Sequence, residues 1–144
     1  MIQKEQLSIG DWITARKWRE KPFQLTRIND GNKFFYGKNG DIYFGPFLIE
    51  ELEQVQITLE ILKKNGFKND FYEEESIADY HKIRLEGYSL KHNIGKIDEY
   101  LVTWCNGSIN VTTDLHGCVQ KDISYIHELQ HAMRLCDIKK EIEL

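Results

Sequence analysis

From Ile9 to Ile57 the apolar residues fall in short clusters separated by turn residues: Trp12 to Ala15, Phe23 to Ile28, Lys33 to Tyr36, Asp41 to Phe44, and a last cluster within Leu52 to Ile57. The breaks are Asn29-Asp30-Gly31, Lys38-Asn39-Gly40 and Gly45-Pro46, whose asparagine, aspartate and glycine residues accept a positive φ. Short strands at such intervals predict a small SH3-like β-barrel over residues 1–57. Phe34 to Tyr36 and Ile42 to Phe44 are continuously apolar, so period alone does not say which of their faces turns inward.

The pattern changes at Thr58, which stands where an N-cap belongs, ahead of a short helix from Leu59 to Lys64. Asn65-Gly66 ends that helix and Phe67 folds back onto it. Glu73-Glu74-Glu75 reads as a solvated acidic turn. Strands are expected at Ala78 to Leu85, Tyr88 to Lys91, Glu99 to Trp104 and Ser108 to Thr112, with Asn106-Gly107 supplying a type I′ hairpin turn between the last two. A helix over 122–136 and a short edge strand from Lys140 to Leu144 complete the reading. The expected class is α+β: an N-terminal SH3-like small β-barrel, 1–57, followed by an antiparallel sheet with one short and one longer helix, 58–144.

Composition narrows the class without deciding the function. A hydrophobic content of 41% and a charged content of 29% describe an ordinary globular protein, and no apolar run approaches the roughly 18 residues that cross a bilayer. The N-terminus lacks the apolar core of a secretory signal, so the cytoplasm is the expected compartment and no membrane partner is expected. Cys105, Cys118 and Cys136 are an odd number at unpatterned spacing, which favours reduced thiols over a disulfide framework. The net charge of −4 gives no general attraction to nucleic acid, although residues 1–40 hold eight Lys or Arg against four acids.

His127-Glu128-Leu129-Gln130-His131 spells H-E-x-x-H, the pattern in which two imidazoles on one helix face hold zinc and the glutamate activates water. Set on a wheel of about 100° per residue with Tyr125 at zero, Leu129, Ala132, Met133 and Cys136 form an apolar stripe centred near 40°. His127 and His131 fall near 200° and 240° on the same wheel and are expected to face solvent. No third ligand follows in the sequence that a zinc hydrolase would use, and Arg134 shares the histidines' face, placing a like charge beside a metal. The expectation is therefore no catalytic residue, no metal and no cofactor. Were a metal bound, His127 and His131 would hold it with His116 or Cys118, and Glu128 would be the base.

Thr58-Leu59-Glu60-Ile61-Leu62-Lys63-Lys64-Asn65-Gly66-Phe67, the stretch Tyr125 to Leu135, and the opening Leu7-Ser8-Ile9-Gly10-Asp11-Trp12 together resemble a family of small uncharacterised proteins encoded in phages, prophages and mobile elements of gut bacteria. The resemblance spans most of the chain and is weakest in its centre. Many members of that family carry glutamine at the position of Glu128 and asparagine at that of His131. The resemblance thus implies an origin and an architecture, and carries no catalytic residue across.

The remaining candidate is the loop holding Arg16, Lys17, Trp18 and Arg19, where the cations would engage phosphates while Trp18 stacks on a base or packs a peptide. Phe34, Phe35, Tyr36, Tyr43, Phe44 and Phe47 exceed what a small barrel buries, so a subset is expected at an interface, with a homodimer as the simplest outcome. Asp79, His81, Asp98 and Asp114 occur singly and nominate no acid-base pair. The function expected is a non-enzymatic accessory or binding protein with a protein or small-molecule partner, nucleic acid being less favoured. Two alternatives stay open: an oligomer that sequesters a small nucleotide-like ligand, and a zinc-dependent hydrolase working through HELQH.

Overall fold

The computed structural model describes residues 2–29, 31, 33–75, 82–94, 99–105, 107–113 and 117–144. The chain is α+β and divides into two compact units, Met1–Ile57 with Tyr125–Gln130, and Thr58–Ser124 with His131–Leu144.

The first unit holds one antiparallel sheet of five strands, β1 (Trp12–Ala15), β2 (Phe23–Asn29), β3 (Phe34–Asn39), β4 (Ile42–Phe47) and β5 (Leu52–Gln54), in the order β4-β3-β2-β1-β5. Strands β1 to β4 pair in succession, β3 with β4 through a two-residue loop between Asn39 and Ile42. A 3-10 turn over Ile49–Glu51 leads from β4 into β5, which returns to pair with β1. The described residues show no β4–β5 pairing, so the sheet is open, with those two strands as edges, where a closed barrel was expected. Strand β4 also runs through Gly45-Pro46, expected to be a break; an edge strand tolerates proline because one side of its backbone needs no ladder partner. The core comprises Ile2, Leu7, Ile13, Ala15, Phe23, Leu25, Phe35 and Leu52, with Phe44 and Phe47 packed against it.

The second unit is an antiparallel meander of β6 (Lys68–Glu75), β7 (Lys82–His92), β8 (Tyr100–Cys105), β9 (Ser108–Thr113) and β10 (Gly117–Asp122), in the order β10-β9-β8-β7-β6. Several sequence expectations are corrected here. Glu73 to Glu75 lie in β6, opposite Lys82 to Arg84 of β7, rather than in a turn. The two strands expected around Leu85 and Tyr88 are one, because Glu86 and Gly87 keep their pairing with Phe71 and Asp70. Residues 117–122 form a strand laddered to β9, so the helix expected over 122–136 begins later, as α2 (Ile126–Leu135). Asn106 and residues 78–81 lie outside the described residues, though Cys105 pairs directly with Ser108, as a two-residue hairpin loop requires.

Helix α1 (Leu59–Lys64) has the predicted ends. Thr58 Oγ1 accepts from the N–H of Ile61, and the N–H groups of Gly66 and Phe67 donate to Lys63 O and Leu62 O. That is a Schellman cap, with Gly66 at φ 87° supplying the left-handed residue. Helix α2 ends the same way: Asp137 N–H donates to Arg134 O and Ile138 N–H to Met133 O, but the left-handed residue is Asp137, at φ 57°.

The segment expected as an edge strand, Lys140 to Leu144, is irregular. It is fixed by Asn65, whose Nδ2 donates to Glu143 O and whose Oδ1 accepts from Glu143 N–H, both at 2.7 Å, while Lys64 Nζ donates to Leu144 O. Asn65 is buried but Glu143 is exposed, so Asn65→Ala removes the clasp while water can reach the Glu143 backbone groups it frees. A loss of about 0.5–1.5 kcal/mol in urea unfolding is expected, together with early proteolysis of the C-terminal segment.

Candidate functional site

Strand β1 passes directly into a 3-10 turn, Arg16–Trp18. Thr14 Oγ1 donates to Trp18 O at 2.9 Å and Lys21 N–H donates to the same oxygen at 2.7 Å, which holds the turn out from the sheet. Trp18 is 41% exposed, and Lys21 Nζ stands 5.3 Å from its ring centroid.

The loop's two arginines are turned to another task. Arg19 grips the carboxylate of Glu53 with two hydrogen bonds, Nε to Oε2 at 2.8 Å and Nη2 to Oε1 at 2.9 Å, and Arg16 Nε lies 3.4 Å from Oε1. Glu53 reaches them because it sits on β5 opposite Thr14. The hydrogen bond from Arg19 holds the Glu53 carboxyl below its ordinary pKa, and that bond likewise raises the Arg19 guanidinium. A lowered carboxylate pKa stabilises the fold above the ordinary carboxylate range and ceases to as pH falls through the lowered value; at this exposure, solvent screening keeps the effect small. Of the four residues predicted to bind, Arg16 and Arg19 are thus engaged by Glu53, while Lys17 and Trp18 remain presented.

Beside this turn stands the β3–β4 hairpin. Asn39 Nδ2 donates to Pro22 O at 2.9 Å and ties the two together at one end. Between them lies a cleft of about 650 Å³ whose lining includes Trp18, Lys21, Pro22, Tyr43, Phe44, Pro46 and Phe47. Its aromatic floor is fixed from beneath: Phe44 and Phe47 both stack on the fully buried Phe23, with ring centroids 4.9 and 5.5 Å away. Its hairpin side is open to water, with Ile42 at 64% and Tyr43 at 80% exposure. Phe47 also lines a second groove of about 530 Å³, shared with Ala15, Arg16, Lys17, Glu50 and Glu51. Sequence reasoning found the aromatic density and the basic loop but missed their juxtaposition; Gly45-Pro46 lying between aromatics was the available signal.

The HELQH segment is placed otherwise than the wheel implied. His127 is 2% exposed and belongs to the interior, its ring stacked on Tyr125 with centroids 6.2 Å apart, whereas His131 is half-buried. The wheel located the apolar stripe correctly, since Ile126, Leu129, Ala132, Met133 and Cys136 are all buried. What it could not register is coverage beyond the stripe, which extends to Gln130 and His127 and leaves Leu135 as the exposed residue of the helix.

Two other letters of the motif have structural partners. Glu128 Oε2 accepts from Tyr125 N–H at 3.4 Å, the N3 glutamate reaching back over its own helix start. Gln130 Oε1 accepts from Trp12 N–H and its Nε2 donates to Gly10 O, both at 2.9 Å. Among the described residues no three His, Cys, Asp or Glu side chains converge as a metal ion would require, and His116 and the Cys118 side chain lie outside them.

Among the described residues no helix is long and apolar enough to cross a membrane. No family model, no curated protein and no solved structure matches the chain.

Proposed function

We propose that this chain is a non-enzymatic accessory protein of phage or mobile-element origin that acts in the cytoplasm by binding a macromolecular partner through the cleft of its first unit. The observation that carries the reading is the pairing of a fixed aromatic floor with exposed side chains, Trp18, Ile42 and Tyr43, that contribute nothing to the core. Large apolar groups left in water over a preorganised concavity are the signature of a recognition surface. The first unit is read as an SH3-like half-barrel: the order β4-β3-β2-β1-β5 and the 3-10 turn ahead of β5 favour that assignment. The phage origin draws on the resemblance carried by the Leu7–Trp12, Thr58–Phe67 and Tyr125–Leu135 stretches.

Photo-crosslinking tests the reading. Benzoylphenylalanine in place of Tyr43, irradiated in bacterial extract, should give macromolecular adducts that disappear when Trp18→Ala is added, while the same probe in place of the exposed Lys63 gives none of them. Equal adducts from both positions, or adducts indifferent to Trp18, would remove the cleft from consideration.

A further inference from the structure

We infer that Asn39-Gly40, at the tip of the β3–β4 hairpin, is a site of spontaneous deamidation, and that the reaction unties the hairpin from Pro22. The inference does not depend on what the cleft binds.

An asparagine loses its amide when the backbone nitrogen of the next residue attacks its side-chain carbonyl carbon. Here Gly40 N bonds to Asn39 Cγ, the Cγ–Nδ2 bond breaks, and Nδ2 leaves as ammonia with the proton given up by Gly40 N. Water then opens the five-membered imide, at Cγ to give an aspartyl residue or at the Asn39 main-chain carbonyl carbon to give an isoaspartyl one. Water is the only co-reactant. The reaction needs a following residue without a side chain, a backbone N–H that no acceptor holds, and access for solvent.

Asn39, Asn65 and Asn106 each precede a glycine, and Asn106 lies outside the described residues. Asn39 and Gly40 are exposed, and a Cβ built at Gly40 meets nothing within 4 Å. Gly40 stands in the two-residue loop closed by the Asn39–Ile42 pair, with the φ of 59° that suits the first central position of a type II′ turn. Among the described residues no acceptor takes its N–H. Asn65-Gly66 has the same letters in the opposite setting. Asn65 is buried, its amide group is bonded to Ile61 O and to both backbone groups of Glu143, and Gly66 N–H is committed to Lys63 O at 3.1 Å.

The leaving nitrogen of Asn39 is the one that ties the hairpin down, donating to Pro22 O at 2.9 Å. Deamidation puts a carboxylate oxygen in its place, so two acceptors face each other where a donor met an acceptor. The isoaspartyl product also adds one atom to the main chain and disrupts the Asn39–Ile42 pairing.

The test ages the full chain in mildly alkaline buffer made with heavy-oxygen water and maps its peptides by mass spectrometry. In the folded protein position 39 should convert, each product carrying one heavy oxygen, while Asn65 keeps its amide. In urea Asn65 should convert about tenfold faster or more, because the clasp and the helix cap that protect it are gone. Asn39 intact while Asn65 reacts, or equal rates at the two positions in the folded protein, would overturn the assignment. The untying is read from variants. Asn39→Asp should unfold at a lower temperature than Asn39→Ala, and the gap should close in acid as the carboxylate is protonated. An Asn39→Asp variant as stable as the parent at neutral pH would overturn that part.

Discussion

Gly37→Ala is expected to cost the first unit about 3 kcal/mol, enough to abolish its cooperative unfolding transition if its stability is modest. A Cβ built at Gly37 falls well inside contact distance of the Phe23 ring and 2.5 Å from the backbone oxygen of Gln24. Phe23 cannot swing aside, because its ring is fully buried and carries Phe44 and Phe47 stacked upon it. The strand can yield only by separating from β2, which breaks the Leu25–Gly37 pairing at the centre of the sheet. Urea unfolding followed by circular dichroism measures the loss. In a Phe23→Leu background, with a smaller side chain beneath, the added cost of Gly37→Ala should shrink without vanishing, since the Gln24 oxygen remains. A cost below about 0.5 kcal/mol in the wild-type background would show that the floor of the cleft is not built as described.

Gln130→Leu is expected to cost about 2–4 kcal/mol, although the exchange keeps volume and adds hydrophobicity. Trp12 N–H and Gly10 O flank Asp11 on the side of β1 that β5 does not reach, because β5 begins its pairing at Ile13. The Gln130 amide takes both groups, as a neighbouring strand would. Gly10 O keeps a second donor, Gln24 Nε2 at 3.2 Å, so most of the loss falls on the buried Trp12 N–H. Gln130→Glu adds a pH signature. It preserves the acceptor, loses the donor, and sets a buried carboxylate against Gly10 O, which raises its folded pKa above the unfolded value. Its destabilisation should be least in acid, grow as pH rises through the unfolded pKa, and level off above the folded one. A Gln130→Leu variant as stable as the parent would mean that this clasp is not formed in solution.

Local chemistry was legible in the sequence, and non-local coverage was not. The ends of α1 followed from Thr58 and Asn65-Gly66 alone, and the short strands of the first unit from their turn residues, because capping and turn conformations are decided within a few residues. Misreadings arose where a distant segment intervenes. Glu53, far along the chain, takes the two arginines of the basic loop; β9 recruits residues 117–122 into a strand; β7 does the same for the acidic run at Glu73. His127 is the sharpest case. A wheel reports where apolar side chains cluster, and it carries no information about how far around a helix neighbouring protein extends. The cleft was half legible, since both walls were visible as compositions, but the sheet order that brings Trp18 beside Tyr43 belongs to the fold.

The account turns on the HELQH helix being framework rather than a metal site, and carbethoxylation of the native protein, mapped by mass spectrometry, tests this most directly. His131 should react in the folded state and His127 only after unfolding, with added zinc changing neither rate. Equal native reactivity of both imidazoles, together with protection of both by zinc, would contradict it.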